Sequence, residues 1–281
     1  MAYMSIAHTS STGVNVVSNG SAHTKGNYTQ GIASTSENGD GLRLYISQST
    51  AAARLYLLDV ALGAAASEVV LVPNIHFRLN STSYWTKLFI PCKIPAGSRV
   101  SFRCQDATGG GSCKIAGYVV PASVSADEGF SAAADCINPL AATGTSAGSV
   151  TVDAGGTINT FSGTAGNICN ANAPIAATHI ILTTRDSIAG LVDFLIRVKV
   201  NGTVVTPEFY HRGTNGQGIT VWHPYVKLDT PIAVNDTVTA EVSCSGNTVG
   251  SRELVTFVTL LNLPAASSTG GSSLIGPGGL A

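Results

Sequence analysis

The chain has 281 residues, 44% of them hydrophobic but only 11% charged, with a net charge of −1. An average soluble protein is about 25% charged, and here Lys and Arg are scattered, so no basic stripe exists to neutralise a run of phosphates and nucleic acid is not an expected partner. The 31 glycines, the 6% aromatic content and the abundance of Ser, Thr, Ala and Val suit short strands joined by small-residue turns and suit helices poorly.

The length predicts two domains. The opening "MAYMSIAHTSSTG" has neither a basic nor an apolar leader region, so synthesis in a cytoplasm without a signal peptide is expected, and the Asn-x-Ser/Thr matches at Asn27, Asn80, Asn201 and Asn235 are not expected to carry glycans. No apolar run approaches the ~20 residues of a membrane-spanning helix, so no membrane insertion is expected.

The first strand signals are "GLRLYIS" and then Tyr56, Leu58, Val60 and Leu62, which alternate with period two and face one side of a strand. Leu55 and Leu57 lie on the opposite face of that strand, making it apolar on both sides. Such a strand marks a candidate subunit contact. "NSTSYWTKLF" carries Trp85, and "IPAGSRV" reads as a turn leading into the strand of Val100, Phe102 and Cys104. "DATGGGS" is a glycine-rich hairpin turn, since no G-K-[ST] ending makes it a phosphate loop, and "YVVPAS" closes the unit.

Much of this recurs 138 residues later. Leu42 and Leu44 fall on Ile180 and Leu182, while Tyr56, Leu58, Val60 and Leu62 fall on Phe194, Ile196, Val198 and Val200. "IPAGSRV" falls on "IAVNDTV", after which Val238, Ala240, Val242 and Cys244 alternate inward. Trp222 matches Trp85 within one residue, and "LLNLPAAS" answers "YVVPAS". The predicted fold is all-β: two tandem, duplicated antiparallel β-sandwiches of jelly-roll type. Their expected bounds are residues 1–122 and 150–264, joined by a linker over 123–149 with one helical turn around Asp127 to Cys136. A Gly/Ser-rich tail covers 265–281. Each tryptophan is expected to fill its own sandwich core.

Reactive constellations are scarce. The motif H-E-x-x-H does not occur, the G-x-S-x-G match from Gly144 to Gly148 falls in the expected linker and makes no nucleophile elbow, no C-x-x-C pair or cysteine–histidine cluster has zinc spacing, and no carboxylate pair is placed for glycoside hydrolysis. Catalysis, a metal and a cofactor are therefore not expected. "PEFYHRGTNGQGITVWHPY" is the best candidate for ligand contact, and above all for a sugar: Tyr210 and Tyr225 offer flat faces, His211 a ring nitrogen, and Asn215 and Gln217 amides. Cys104 and Cys244 end strand patterns and read as small buried hydrophobes. Cys92, Cys113, Cys136 and Cys169 read as lying in loops or linkers, where they are candidates for cross-links.

With its doubled "IPAGSRVSFRC" and "IAVNDTVTAEVSC" segments, low charge and "GGSSLIGPGGLA" end, the chain resembles accessory structural proteins of tailed-bacteriophage virions, of the head-decoration or tail and collar type. The resemblance implies a non-enzymatic role in the virion, in which the chain binds copies of itself, as a trimer or higher homo-oligomer, and other virion proteins. The competing expectation is a carbohydrate-binding adhesin that contacts a surface glycan.

Overall fold

Period-two alternation of apolar residues sets the strands, and the two sheets they form in each half close over those residues. The structure is a computed structural model that describes residues 3–6, 13–48, 54–79, 85–125, 135–137, 150–169, 172–186, 192–213, 220–246 and 253–263. Among them, the first domain holds β1 (Met4–Ser5), β2 (Val14–Val17), β3 (Thr29–Ile32), β4 (Gly39–Gln48), β5 (Arg54–Leu62), β6 (Val69–Leu79), β7 (Trp85–Ile90), β8 (Val100–Asp106) and β9 (Ser112–Pro121), and α1 (Ala122–Ser125) follows it. One sheet runs β1–β9–β4–β7 with β2 also on β9; the other runs β3–β8–β5–β6, and all pairings are antiparallel. Taking β1 and β2 as one position, first pairs with last and third with sixth in one sheet, and second with seventh and fourth with fifth in the other. That is the jelly-roll order.

The second domain repeats it with β10 (Asp135–Ile137), β11 (Val150–Asp153), β12 (Gly166–Asn167), β13 (Ala177–Asp186), β14 (Asp193–Val200), β15 (Thr203–Val204), β16 (Phe209–Arg212), β17 (Thr220–Trp222), β18 (Val226–Ile232), β19 (Val238–Cys244) and β20 (Glu253–Asn262). β10 and β11 pair with β20, which pairs with β13, which pairs in turn with β17 and β18; the facing sheet runs β12–β19–β14 with β15 and β16 on β14. β4 and β13, like β8 and β19, begin and end at the same offset of 138. The expected linker is shorter than its sequence suggested: α1 precedes residue 126, and Asp135–Ile137 is a strand of the second domain, bonded to β20. The backbone of β10 completes a sheet edge, which needs no β-branched residues. Residues of the tail lie outside the described region.

The repeat extends to single hydrogen bonds. Ser98 N donates to Pro95 O at 3.3 Å and Asp236 N to Ala233 O at 3.2 Å; Gly97 N donates to Thr35 O at 2.8 Å and Asn235 N to Ala173 O at 2.9 Å. The pivot of each turn is left-handed, φ 76° at Gly97 and 74° at Asn235. Glycine adopts that conformation freely, and asparagine is among the few side chains that tolerate it. A cross-strand pair repeats with its charges exchanged: Asp59 faces Arg103 on β5 and β8, and Arg197 faces Glu241 on β14 and β19. In both, the arginine also lies over an aromatic ring, Tyr28 at 4.5 Å and Phe161 at 3.9 Å.

Each domain has its own core, one around Leu42, Leu58, Phe77 and Phe102, the other around Ile180, Phe194, Val242 and Val258. Full burial of such a side chain stabilises by about 1.5–3 kcal/mol relative to leaving it exposed. The tryptophans do not fill these cores as expected. Trp85 begins an edge strand and is 44% exposed, while half-buried Trp222 packs against the first domain's core and against Ile181, Leu261 and Leu263 on the outside of its own sheet. Trp222 is thus seam material, with β17 touching β6 and β7. Among the described residues, no helix is long and apolar enough to cross a membrane.

Candidate functional site

The ligand-contact residues expected from the sequence separate in space. Tyr210, on β16, is 55% exposed and its hydroxyl donates to Asp193 Oδ1 at 2.7 Å. It borders an open cleft of about 250 Å³ with Asn159, Leu195, Ser243 and Ser245. His211, its neighbour, points the other way and is fully buried, so it is withdrawn as a ligand contact. The strand's period of two forces this, because adjacent residues face opposite sides. Asn215 and Gln217 lie outside the described residues.

Burial unites His211 with His223. Thr184 Oγ1, on β13, is 2.9 Å from His211 Nδ1 and 3.0 Å from His223 Nε2. A hydroxyl has one proton, so at least one of the two ring nitrogens must donate to it. The rings pack against Phe194 and Phe209. Burial, and then the neighbouring His211, push the His223 pKa down from 6.5 to about 4, so the imidazole is neutral near pH 7. The arrangement is a polar tie between the two sheets of the second domain. Among the described residues no group of three His, Cys, Asp or Glu side chains is placed to hold a metal ion.

The remaining aromatic, Tyr225, belongs to a groove at the seam between the domains. β4 and β7 turn Leu42, Leu44, Leu88 and Ile90 into the core, and the same alternation turns Arg43, Tyr45, Lys87 and Phe89 outward. From the second domain, Trp222, His223, Pro224 and Tyr225 face them across about 340 Å³ of open space. Arg43 lies over the Phe89 ring at 4.9 Å, Lys87 is 6.0 Å from the Tyr45 ring, and the Phe89 and Tyr225 rings are 6.0 Å apart. Among the described residues no carboxylate lines the groove. In the sequence only the apolar positions of "GLRLYIS" and only Trp85 from "NSTSYWTKLF" stand out, so these outward residues are not singled out there. The signal was in the other half of the same alternation.

Two further expectations are corrected. Leu57 is only 1% exposed and is not a subunit contact. The outer face of β5 is covered by the chain itself: Lys25 Nζ donates to Leu57 O at 3.1 Å and bridges to Asp59 at 2.7 Å. Leu57 and Leu55 pair with His76 and Arg78 on β6, whose neighbours in the second domain are Arg185, which acts electrostatically on His76, and Thr220, whose hydroxyl accepts from Arg78 N at 2.8 Å. An apolar second face was needed for an interface within the chain; Leu55, half-buried at its margin, follows the same logic. Cys92, Cys113 and Cys169 are also buried, as are Cys104 and Cys244, so the first three are not placed to cross-link copies. Burial pushes the Cys169 thiol up to about 12, and a hydrogen bond with Cys104 together with burial raises that of Cys113 well above its usual value. Protonated, enclosed thiols are poor nucleophiles. Cys136 lies on β10, and its side chain is outside the described set.

No protein-family model matches the chain, and no curated protein does. Among solved structures, the chain is similar to the N-terminal CBM22-1–CBM22-2 tandem domain of Xyn10C from Paenibacillus barcinonensis, with 8% identity over 85% of this chain and 82% of that one. The TM-score is 0.23, too loose a superposition to carry a functional argument.

Proposed function

We propose that the chain is a non-enzymatic structural protein of a bacteriophage particle, whose copies associate with one another and dock on the virion as a head-decoration or tail and collar component. The observation that carries this reading is the open first half of the β6 edge, whose second half meets the second domain where Arg78 N donates to Thr220. Among the described residues that strand pairs only with β5, and its first half, Val69-Val70-Leu71-Val72, is apolar, with Val69 72% exposed. A long apolar edge presents unpaired backbone donors and acceptors to another chain, and soluble monomers usually guard such edges with charge. Here the guard, Pro73, comes only after the apolar run. The corresponding edge of the second domain is broken into β15, of two residues, and β16, of four. The two domains therefore offer different edges, and association through the first is favoured.

Val69→Lys tests this. The exposed position tolerates lysine in the monomer, so the thermal midpoint should stay within about a degree or two of wild type while the oligomer dissociates. An oligomer that survives the substitution argues against the β6 edge.

A second reading, a carbohydrate-binding module of an adhesin, is favoured by the seam groove. Aromatic faces set beside donors on a pre-formed concave surface are the usual make-up of a small-molecule site.

A further inference from the structure

Two of the buried cysteines meet across the first domain. Cys104 lies on β8 and Cys113 on β9, and these strands belong to different sheets. Both side chains enter the core between the sheets, both are fully enclosed, and the structure holds both as free thiols. The Cys104 thiol reaches the opposite sheet, donating to Val16 O at 3.6 Å, and Val16 is the residue directly opposite Cys113 in the β2–β9 ladder. Opposed residues of an antiparallel pair have Cα atoms only about 4.5–5.5 Å apart. The Cys113 thiol in turn hydrogen-bonds to the Cys104 sulfur. Packing does not demand a cysteine at position 104. At the offset of 138 the second domain carries Val242, also buried, which pairs with Ile196 as Cys104 pairs with Leu58.

We propose that Cys104 and Cys113 form a disulfide that staples the two sheets of the first domain when the chain meets an oxidant of the small-molecule disulfide class. The thiolate of one cysteine attacks the small disulfide and expels one small thiol. The thiolate of the other then attacks the protein sulfur of that mixed disulfide and expels the second. The two cysteine sulfurs are oxidised, the small disulfide is reduced by the same two electrons, and the protons lost by the cysteines leave on the two small thiols. A bridge needs side chains that converge rather than point apart, and two thiols in contact in one core, from facing sheets, meet that need. Enclosed, protonated thiols exchange slowly, so the bridge forms while the chain folds or opens and is then shielded from solvent. It closes residues 104–113, the stretch that holds the Asp106 turn. The staple lies within one chain and does not depend on association through β6.

The test is refolding of the full chain from urea, once with oxidised glutathione in excess and once with dithiothreitol, followed by alkylation, non-reducing digestion and mass spectrometry. The expected result is a linked peptide joining Cys104 to Cys113 in the oxidised sample alone, and a thermal midpoint roughly 5–10 °C above that of the reduced sample. Cys104→Val, which installs the residue the second domain carries at Val242, should fold and bring the two midpoints together. Should that variant fail to fold, the wild-type peptide map decides. Both thiols alkylated after oxidative refolding would overturn the proposal, as would Cys113 linked to a different cysteine. A bridge that forms without raising the midpoint would overturn its role as a staple.

Discussion

Replacing Asp106 with alanine should destabilise the first domain by about 3–5 kcal/mol, the usual consequence of removing one partner of a buried charge cluster. The Asp106 side chain is fully enclosed. Its Oδ1 accepts from Arg54 Nη1 at 3.0 Å, Thr108 N at 2.8 Å, Thr108 Oγ1 at 2.9 Å and Gly109 N at 2.8 Å; its Oδ2 accepts from Gly111 N at 2.8 Å and from the Ser18 hydroxyl. Burial alone would raise the carboxyl pKa, but the Ser18 hydroxyl and then the backbone donors more than offset it, and it settles at about 2. Alanine would orphan these donors together in the β8–β9 turn, where Gly109 and Gly110 are left-handed. The glycine-rich backbone of the "DATGGGS" turn does surround an anion, and the anion is the chain's own aspartate. Urea unfolding checks the prediction, with a lower midpoint at unchanged m-value. A loss below about 1 kcal/mol would mean that the turn holds without its carboxylate.

The second large effect is acid lability well above the pH at which carboxylates protonate. The pKa of His223 is held at about 4, against 6.5 when free, and that of His76 is pushed well below 6.5 by burial and then by Arg185 and Arg78. Below 6.5 the unfolded chain takes up protons that the folded chain refuses. The contribution of these groups is therefore complete above 6.5 and is lost progressively as pH falls toward the folded pKa. For His223 alone this amounts to about 3 kcal/mol. Asp106 acts in a lower window: its contribution is present above 3.8 and is lost as pH falls through about 2. Unfolding free energy measured at about pH 7 and about pH 4.5 should differ by kilocalories, and His223→Phe should flatten the dependence even if it lowers stability at neutral pH. Stability that is level across that interval would contradict the buried, neutral assignment of His223.

Where side-chain alternation decides the outcome, the fold was legible in the sequence. Leu42 and Leu44, and Phe194, Ile196 and Val198, face the cores their periodicity assigns, and the turns at Gly97 and Asn235 share one backbone geometry under different letters. What escaped was anything that depends on the second domain packing against the first. A two-faced apolar strand looks the same whether a partner or the chain's own remainder covers it, so Leu57 was assigned outward. Trp222 looked like core because tryptophan buries area readily, and the seam supplied that burial. His211 and His223, twelve residues apart, meet only because β16 and β17 lie on opposite sheets and both reach Thr184. The seam groove needed Arg43 and Lys87 to be placed beside Tyr225, more than 130 residues away in the chain.

The most direct measurement of the central claim is the solution mass of the full chain by light scattering, over a range of concentrations and with and without reductant. The structural reading predicts a discrete oligomer, unchanged by reductant because the described cysteines are buried, and reduced to monomer by Val69→Lys. A wild-type chain that remains monomeric at every concentration would contradict it.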